Sequence, residues 1–347
     1  MERLRRLIRA GWCHKVVFAV GDLLALLAAL CWAVSGVTIS LGAKDKNADS
    51  GAFISILLTV LLAAVVWMLI GWPAGAPKLN GQGIVWFAVA GALTIFVGRV
   101  FFHSSIQWLG SVRSSSVKRL APLFSVLLGV TLLDEPVTPK LVLGMVLIFG
   151  GFGILIHESI VTRAKAESVI HGAAPAKTGF WSNPGFAYGS ISALAYAAGH
   201  ITRKFGLLYM PDPAFGVLVG SITGAILFIA TALVVDSYRS AVWSTFHKFN
   251  PWLLAAGVLA SVGQLLFFAA LDFSTVSRVA LIASTEVFMT MMIMVLLMRN
   301  REKVTVSVFV AAVLGLIGAG IILMDRAPTA DPAKQSVAFL YFLTLKA

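Results

Sequence analysis

The stretch ALCWAVSGVT, Ala29 to Thr38, returns as ALAYAAGHIT, Ala193 to Thr202, 164 residues later. Further matches keep the same order: GRVFFHSSI from Gly98 against GQLLFFAAL from Gly263, EPVT from Glu135 against EKVT from Glu302, and Gly151 with Gly153 against Gly318 with Gly320. Across them the offset drifts only from 164 to 167. One match among apolar residues carries little weight, but their shared order along both halves predicts a duplicated unit.

The unit that is duplicated is made of membrane spans. A helix crossing about 30 Å of hydrocarbon needs about 20 mostly apolar residues. Five such stretches lie near 19–41, 52–72, 83–103, 112–133 and 140–157, and five more near 185–204, 214–235, 252–272, 276–298 and 304–324. Short turns separate them, such as Gly71-Trp72-Pro73-Ala74-Gly75 and Met210-Pro211-Asp212-Pro213. Because each unit holds an odd number of spans, the second copy enters the membrane with opposite polarity. The expected fold class is therefore an all-α integral membrane protein, ten transmembrane helices as two inverted five-helix repeats.

Composition points the same way. The 347 residues are 59% hydrophobic and 12% charged, against about 25% charged in soluble domains. A water-soluble fold could not hide so much apolar surface, whereas a bilayer makes that surface the exposed side. The net charge of +12 is spread along the chain, without basic blocks interleaved with aromatics, so nucleic-acid binding is not expected. Cys13 and Cys31 are the only cysteines; neither a disulfide framework, a metal site nor a cofactor is implied.

The chain divides into a basic N-terminal tail (1–18), a first repeat (19–157), a polar linker (158–183), a second repeat (184–325) and a C-terminal tail (326–347). Arg3, Arg5, Arg6, Arg9 and Lys15 precede the first span and predict that both termini are cytoplasmic, with residues 157–183 outside, in a bacterial inner membrane. In that count Arg203, Lys204 and Arg278 are read as loop charges on the cytoplasmic side. Asp22 and Asp272, near span ends, are read as solvated.

Charges inside spans carry the functional signal, since each costs about 2.5–3.5 kcal/mol at a bilayer centre. Arg99, Lys118, Arg119 and Glu286 fall there, and a helix with adjacent Lys118 and Arg119 needs a water-filled cavity or partners in the bundle. Arg99 and His103 share one helical face; Ser111, Ser115, Lys118 and Pro122 share another. Trp32 and Tyr196 hold equivalent repeat positions and are candidate cavity walls. His103, His200 and Glu286 are candidates for proton coupling. Gly216, Gly220 and Gly224 form a ridge of small residues that reads as helix packing.

The segment GRVFFHSSIQWLGSVRSSSVKRLAPLFSVLLGVTLLDEP, Gly98 to Pro136, resembles the third and fourth spans of the EamA-type, ten-helix members of the drug/metabolite transporter superfamily. GQLLFFAALDFSTVSRVALIASTEVF, Gly263 to Phe288, is similar to it in the second half. The resemblance runs from about residue 20 to 325. It implies transport of small metabolites, often export, through a central cavity lined by spans one, three, four and their counterparts. The pair Lys118 and Arg119 before Pro122 departs from the family pattern. An excess of cations inside the spans favours an anionic or zwitterionic substrate.

Other classes fit less well. A membrane enzyme would need a convergent catalytic set, and the sequence holds no HExxH, GxSxG or GxxxxGK[ST] motif. A channel or receptor-like protein would share the hydropathy, but inverted duplication favours alternating access. The expected partners are a small-molecule substrate and the lipid bilayer; oligomeric state is not readable.

Overall fold

The computed structural model describes residues 2–42, 52–71, 79–109, 114, 117–171, 184–247, 250–297 and 306–325. The C-terminal tail, the second part of the linker, Ser111, Ser115 and the side chains of the basic tail lie outside the described residues.

Among the described residues, ten helical columns run in order. Span 1 is α1 (Glu2–Gly42), and span 2 is α2 (Ala52–Val66) with a π-helical end, Trp67–Gly71. Span 3 joins α3 (Gly81–Gly91) to α4 (Gly98–Leu109) through a π-helical stretch, Ala92–Val97. Span 4 ends in α5 (Ala121–Leu133), and span 5 is α6 (Pro139–His171), whose helix continues into the first part of the polar linker. The second repeat follows as α7 (Pro184–Tyr209), α8 (Pro213–Ala232), α10 (Pro251–Phe273), the pair α11 (Val276–Ala283) and α12 (Glu286–Leu297), and α13 (Val306–Leu323). A surface helix, α9 (Asp236–His247), sits between α8 and α10 and exposes Trp243 and Phe246, the residue type that anchors at a lipid headgroup layer.

Seven columns are long and apolar enough to cross a membrane, and Ala121–Leu133 and Phe309–Leu323 are shorter apolar helices. The remaining column, α7, is 26 residues long and carries Arg203 and Lys204. Leucines at helical spacing, such as Leu23, Leu27 and Leu30 on α1, face outward, as a lipid-facing stripe requires.

Packing follows the repeat. Span 1 packs on span 8 as span 6 packs on span 3, span 2 on span 8 as span 7 on span 3, and spans 2 and 7, 4 and 9, and 5 and 10 pair with their own counterparts. Exchange of the halves therefore maps the contacts onto themselves. The small-residue ridge is confirmed as packing: a Cβ on Gly91 would lie 2.2 Å from the carbonyl oxygen of Gly220, and Gly216 and Gly224 meet Phe87 and Ile95. Only glycine at that crossing lets α3 and α8 approach so closely.

Both fourth spans are broken at equivalent places. A turn at Arg119 and Leu120 precedes α5, with Pro122 in its first turn, and a turn at Ser284 and Thr285 precedes α12. Proline in the first helical turn loses no hydrogen bond, so Pro122 marks a helix start rather than a kink.

Candidate functional site

One end of the bundle, where α1 enters at Val20, is closed by polar contacts that tie the repeats together. Arg278 binds Asp22 through two hydrogen bonds and approaches Asp325 at 4.0 Å, and Thr138 donates to Asp325. Lys204 Nζ donates to the carbonyls of Leu271 at 2.5 Å and Ser274 at 3.2 Å. Glu135 caps α11: its carboxylate accepts from the backbone N–H of Val276 at 2.5 Å, from that of Ser277 at 2.9 Å and from Ser277 Oγ at 2.5 Å. Asp134, in a left-handed conformation with φ 49°, ends α5 and turns Glu135 into this position. Trp67 Nε1 adds a bond to Asp212 at 3.0 Å.

These contacts correct four expectations. Asp22 is 4% exposed and paired, not solvated, while the half-buried Asp272 keeps part of its surface accessible. Arg203, Lys204 and Arg278 are 5%, 9% and 5% exposed, so none is a loop charge. The cause is helix length: α7 continues five residues beyond Lys204 to Tyr209, and Arg278 lies in the first turn of α11 against Asp22. The expected orientation therefore loses three of its cytoplasmic charges and rests on the five basic residues of the N-terminal tail.

Above this closed layer a cavity of about 600 Å³ opens between the repeats. Among its walls are the expected Trp32, Tyr196, Arg99, Lys118, Arg119, His200 and Glu286, and also Arg203 and Gln264, which sequence reasoning did not single out. Its other residues include Ile39, Ser55 and Phe102, from the span ends opposite the closed layer; Asp22, Glu135, Lys204 and Arg278 do not line it. His103 lies on α4, but its side chain is outside the described residues.

The cations are held largely by ring faces. Lys118 Nζ stands 4.5 Å from the centroid of Tyr196 and 4.8 Å from that of Phe102, and the Arg119 guanidinium 5.5 Å from Phe152. Such contacts stabilise a cation by about 0.5–2 kcal/mol and leave its charge in place. Glu286 begins α12, where the positive helix end favours a carboxylate, and lies within electrostatic reach of Lys118 and Arg119. Among the described residues no ion pair within 4.0 Å joins them.

Trp32 Nε1 donates to the Ala260 carbonyl at 3.2 Å, and its ring lies 5.4 Å from Phe267. His200 Nδ1 shares a 3.1 Å hydrogen bond with Ser125 Oγ, and its ring lies 4.8 Å from Phe267. The two equivalent aromatic positions thus face one cavity from opposite repeats. Arg203 escaped notice because an Arg-Lys doublet after an apolar run reads as a helix end.

A multi-pass bundle of two like halves, closed at one end around a charged central cavity, defines a membrane transporter of small molecules. Residues 19–156 and 183–324 both match the EamA-like transporter family, and the chain belongs to it. The protein named Uncharacterized protein PA1977, from Pseudomonas aeruginosa, is 26% identical over 145 residues, 42% of this chain and 48% of that one. The match therefore spans about half the length of that curated relative. A solved crystal structure, described only as that of a protein, superposes with a TM-score of 0.59 at 17% identity, over 87% of this chain and 95% of its own. That likeness is one of fold.

Proposed function

We propose that this protein is a secondary transporter that exports a small anionic or zwitterionic metabolite by alternating access through the central cavity. The observation that carries the reading is the cavity's charge: Arg99, Lys118, Arg119 and Arg203 line it against Glu286 alone. In a site of low effective dielectric, a bound carboxylate or phosphate offsets the cost of holding those cations in the membrane.

With both termini cytoplasmic, the closed layer of Asp22, Glu135 and Arg278 seals the cytoplasmic end, and the cavity then faces outward. Transport requires that layer to open while the opposite end closes. His200 and Glu286 supply titratable groups beside the substrate path for coupling to a proton gradient.

Everted membrane vesicles test the reading. Accumulation of a radiolabelled organic acid that saturates, and that other anions but not amines inhibit, is expected. Equal competition by amines, or flux that rises linearly without saturation, would sink it.

A further inference from the structure

Among the described residues, Arg203 is a buried cation without a carboxylate partner. It is 5% exposed and lines the cavity from α7, the first helix of the second repeat. Its Nη2 donates to Thr94 Oγ1 at 3.1 Å. With the Gln264 amide turned so that its oxygen faces the guanidinium, Nη1 and Nη2 reach that oxygen at 3.2 and 2.8 Å. The guanidinium carbon lies 4.7 Å from the centroid of Phe268 and 5.7 Å from that of Phe267. Nε is buried and has no hydrogen-bond partner.

The other deeply placed cations are compensated. Arg278 has Asp22 and Asp325, Lys204 has two carbonyls and the field of Glu135 and Asp272, Lys118 and Arg119 share the field of Glu286, and Arg99, less deeply placed, donates to the Ala52 carbonyl. Among the described residues Arg203 makes no ion pair; it has only a hydroxyl, an amide oxygen and ring faces. A guanidinium that is 5% exposed and held by neutral groups is poorly compensated, a cost that an arriving anion would offset.

We propose that Arg203, positioned by Gln264 and Thr94, is the docking point for the carboxylate of the transported substrate, and that this substrate is a monocarboxylate with an apolar body. The inference rests on the transporter reading above. A carboxylate is the partner that suits a guanidinium's remaining donor, and here Nη1 has two hydrogens and only the Gln264 oxygen to receive one of them. The rings of Phe267, Phe268 and Trp32 give the rest of the molecule an apolar wall.

Benzoate, benzamide and benzylamine share a shape and differ in charge, so their binding to the purified full chain, followed by thermal shift and tryptophan fluorescence, isolates the carboxylate. Benzoate is expected to bind about tenfold or more tightly than either analogue. Arg203→Gln is expected to abolish that preference while leaving benzamide binding within about twofold. Gln264→Glu keeps Arg203 partnered by supplying an internal carboxylate, so it is expected to fold, to melt higher, and to lose the benzoate preference as well.

Equal binding of benzoate and benzamide by the unmodified protein, or an undiminished preference in Gln264→Glu, overturns the proposal. Flux in proteoliposomes separates it from the reading beneath it. Arg203-dependent binding of benzoate with no transmembrane flux of any acid removes the transporter and keeps the anchor. Benzoate flux that Gln264→Glu leaves unchanged removes the anchor and keeps the transporter.

Discussion

Asp22 and Arg278 stand 256 residues apart in the chain and meet in a two-point ion pair, Nε to Oδ1 at 2.8 Å and Nη2 to Oδ2 at 2.6 Å. Each side chain is 6% exposed. The pair joins the first span of one repeat to the broken ninth span of the other, at the end of the bundle that the cavity does not reach. A planar guanidinium and a carboxylate fix each other's orientation as well as their distance.

Removing one partner leaves the other charge buried. Asp22→Asn is expected to destabilise the folded protein by about 3 kcal/mol, the lower end of the range for broken buried pairs, because Asp325 remains 4.0 Å from Arg278. The double change Asp22→Leu with Arg278→Met is expected to recover most of the loss. Denaturation of the single and double variants in one detergent checks this; a double variant no more stable than Asp22→Asn would refute it.

Glu135 and Gly129 make one cap between them. A Cβ on Gly129 would lie 2.6 Å from Glu135 Oε2 and 2.7 Å from Ser277 Oγ, so Gly129→Ala should displace the carboxylate that caps α11. Both Gly129→Ala and Glu135→Ala are expected to cost about 1–3 kcal/mol. Since they strike the same contact, the double variant should lose little more than the worse single one. Additive losses measured by denaturation would mean the two act separately.

Glu286 offsets Lys118 and Arg119 through space rather than through a contact pair. Glu286→Gln is expected to lower folded yield or transport, and Lys118→Met in the same chain to relieve part of that damage, with a coupling of about 1 kcal/mol. Yield after size-exclusion chromatography and initial flux are the readouts. Zero coupling in both would show that these charges ignore one another.

The crossing of α3 on α8 tolerates no side chain at Gly91. Gly91→Val would drive a branched carbon into the Gly220 carbonyl and is expected to abolish folded protein. Val89→Leu, on the exposed side of the same helix, should be near neutral. Expression and melting of the pair check it; equal melting temperatures would contradict the close approach.

Much of this architecture was legible in the chain because its signals are local. Apolar runs of span length, the ordered matches around Trp32 and Tyr196, and the mid-span Lys118, Arg119 and Glu286 are each read within one span, and they mark the columns and several walls of the cavity. What escaped is non-local. Asp22 looked like a residue at a span end, because nothing within a few residues of it announces Arg278 on another repeat. Arg203 and Lys204 looked like a loop because apolarity falls there, while the helix runs on until Met210-Pro211-Asp212-Pro213 ends it. Hydropathy records where a helix is greasy, not where it stops, and buried charges with partners on other helices sit in the gap between the two.

The two breaks in the fourth spans carry a last consequence. Lys118 and Arg119 stand at the first break, where the second repeat has Ala283 and Ser284; Glu286 follows the second, where the first repeat has Ala121. Two identical halves would repeat each sign on both sides and offer a ligand two interchangeable orientations. A single chain holding unlike halves gives the central chamber a polarity across its own near-symmetry axis. A molecule with a charged end and a plain end then fits head first in one direction only, so the protein can tell the front of its cargo from the back.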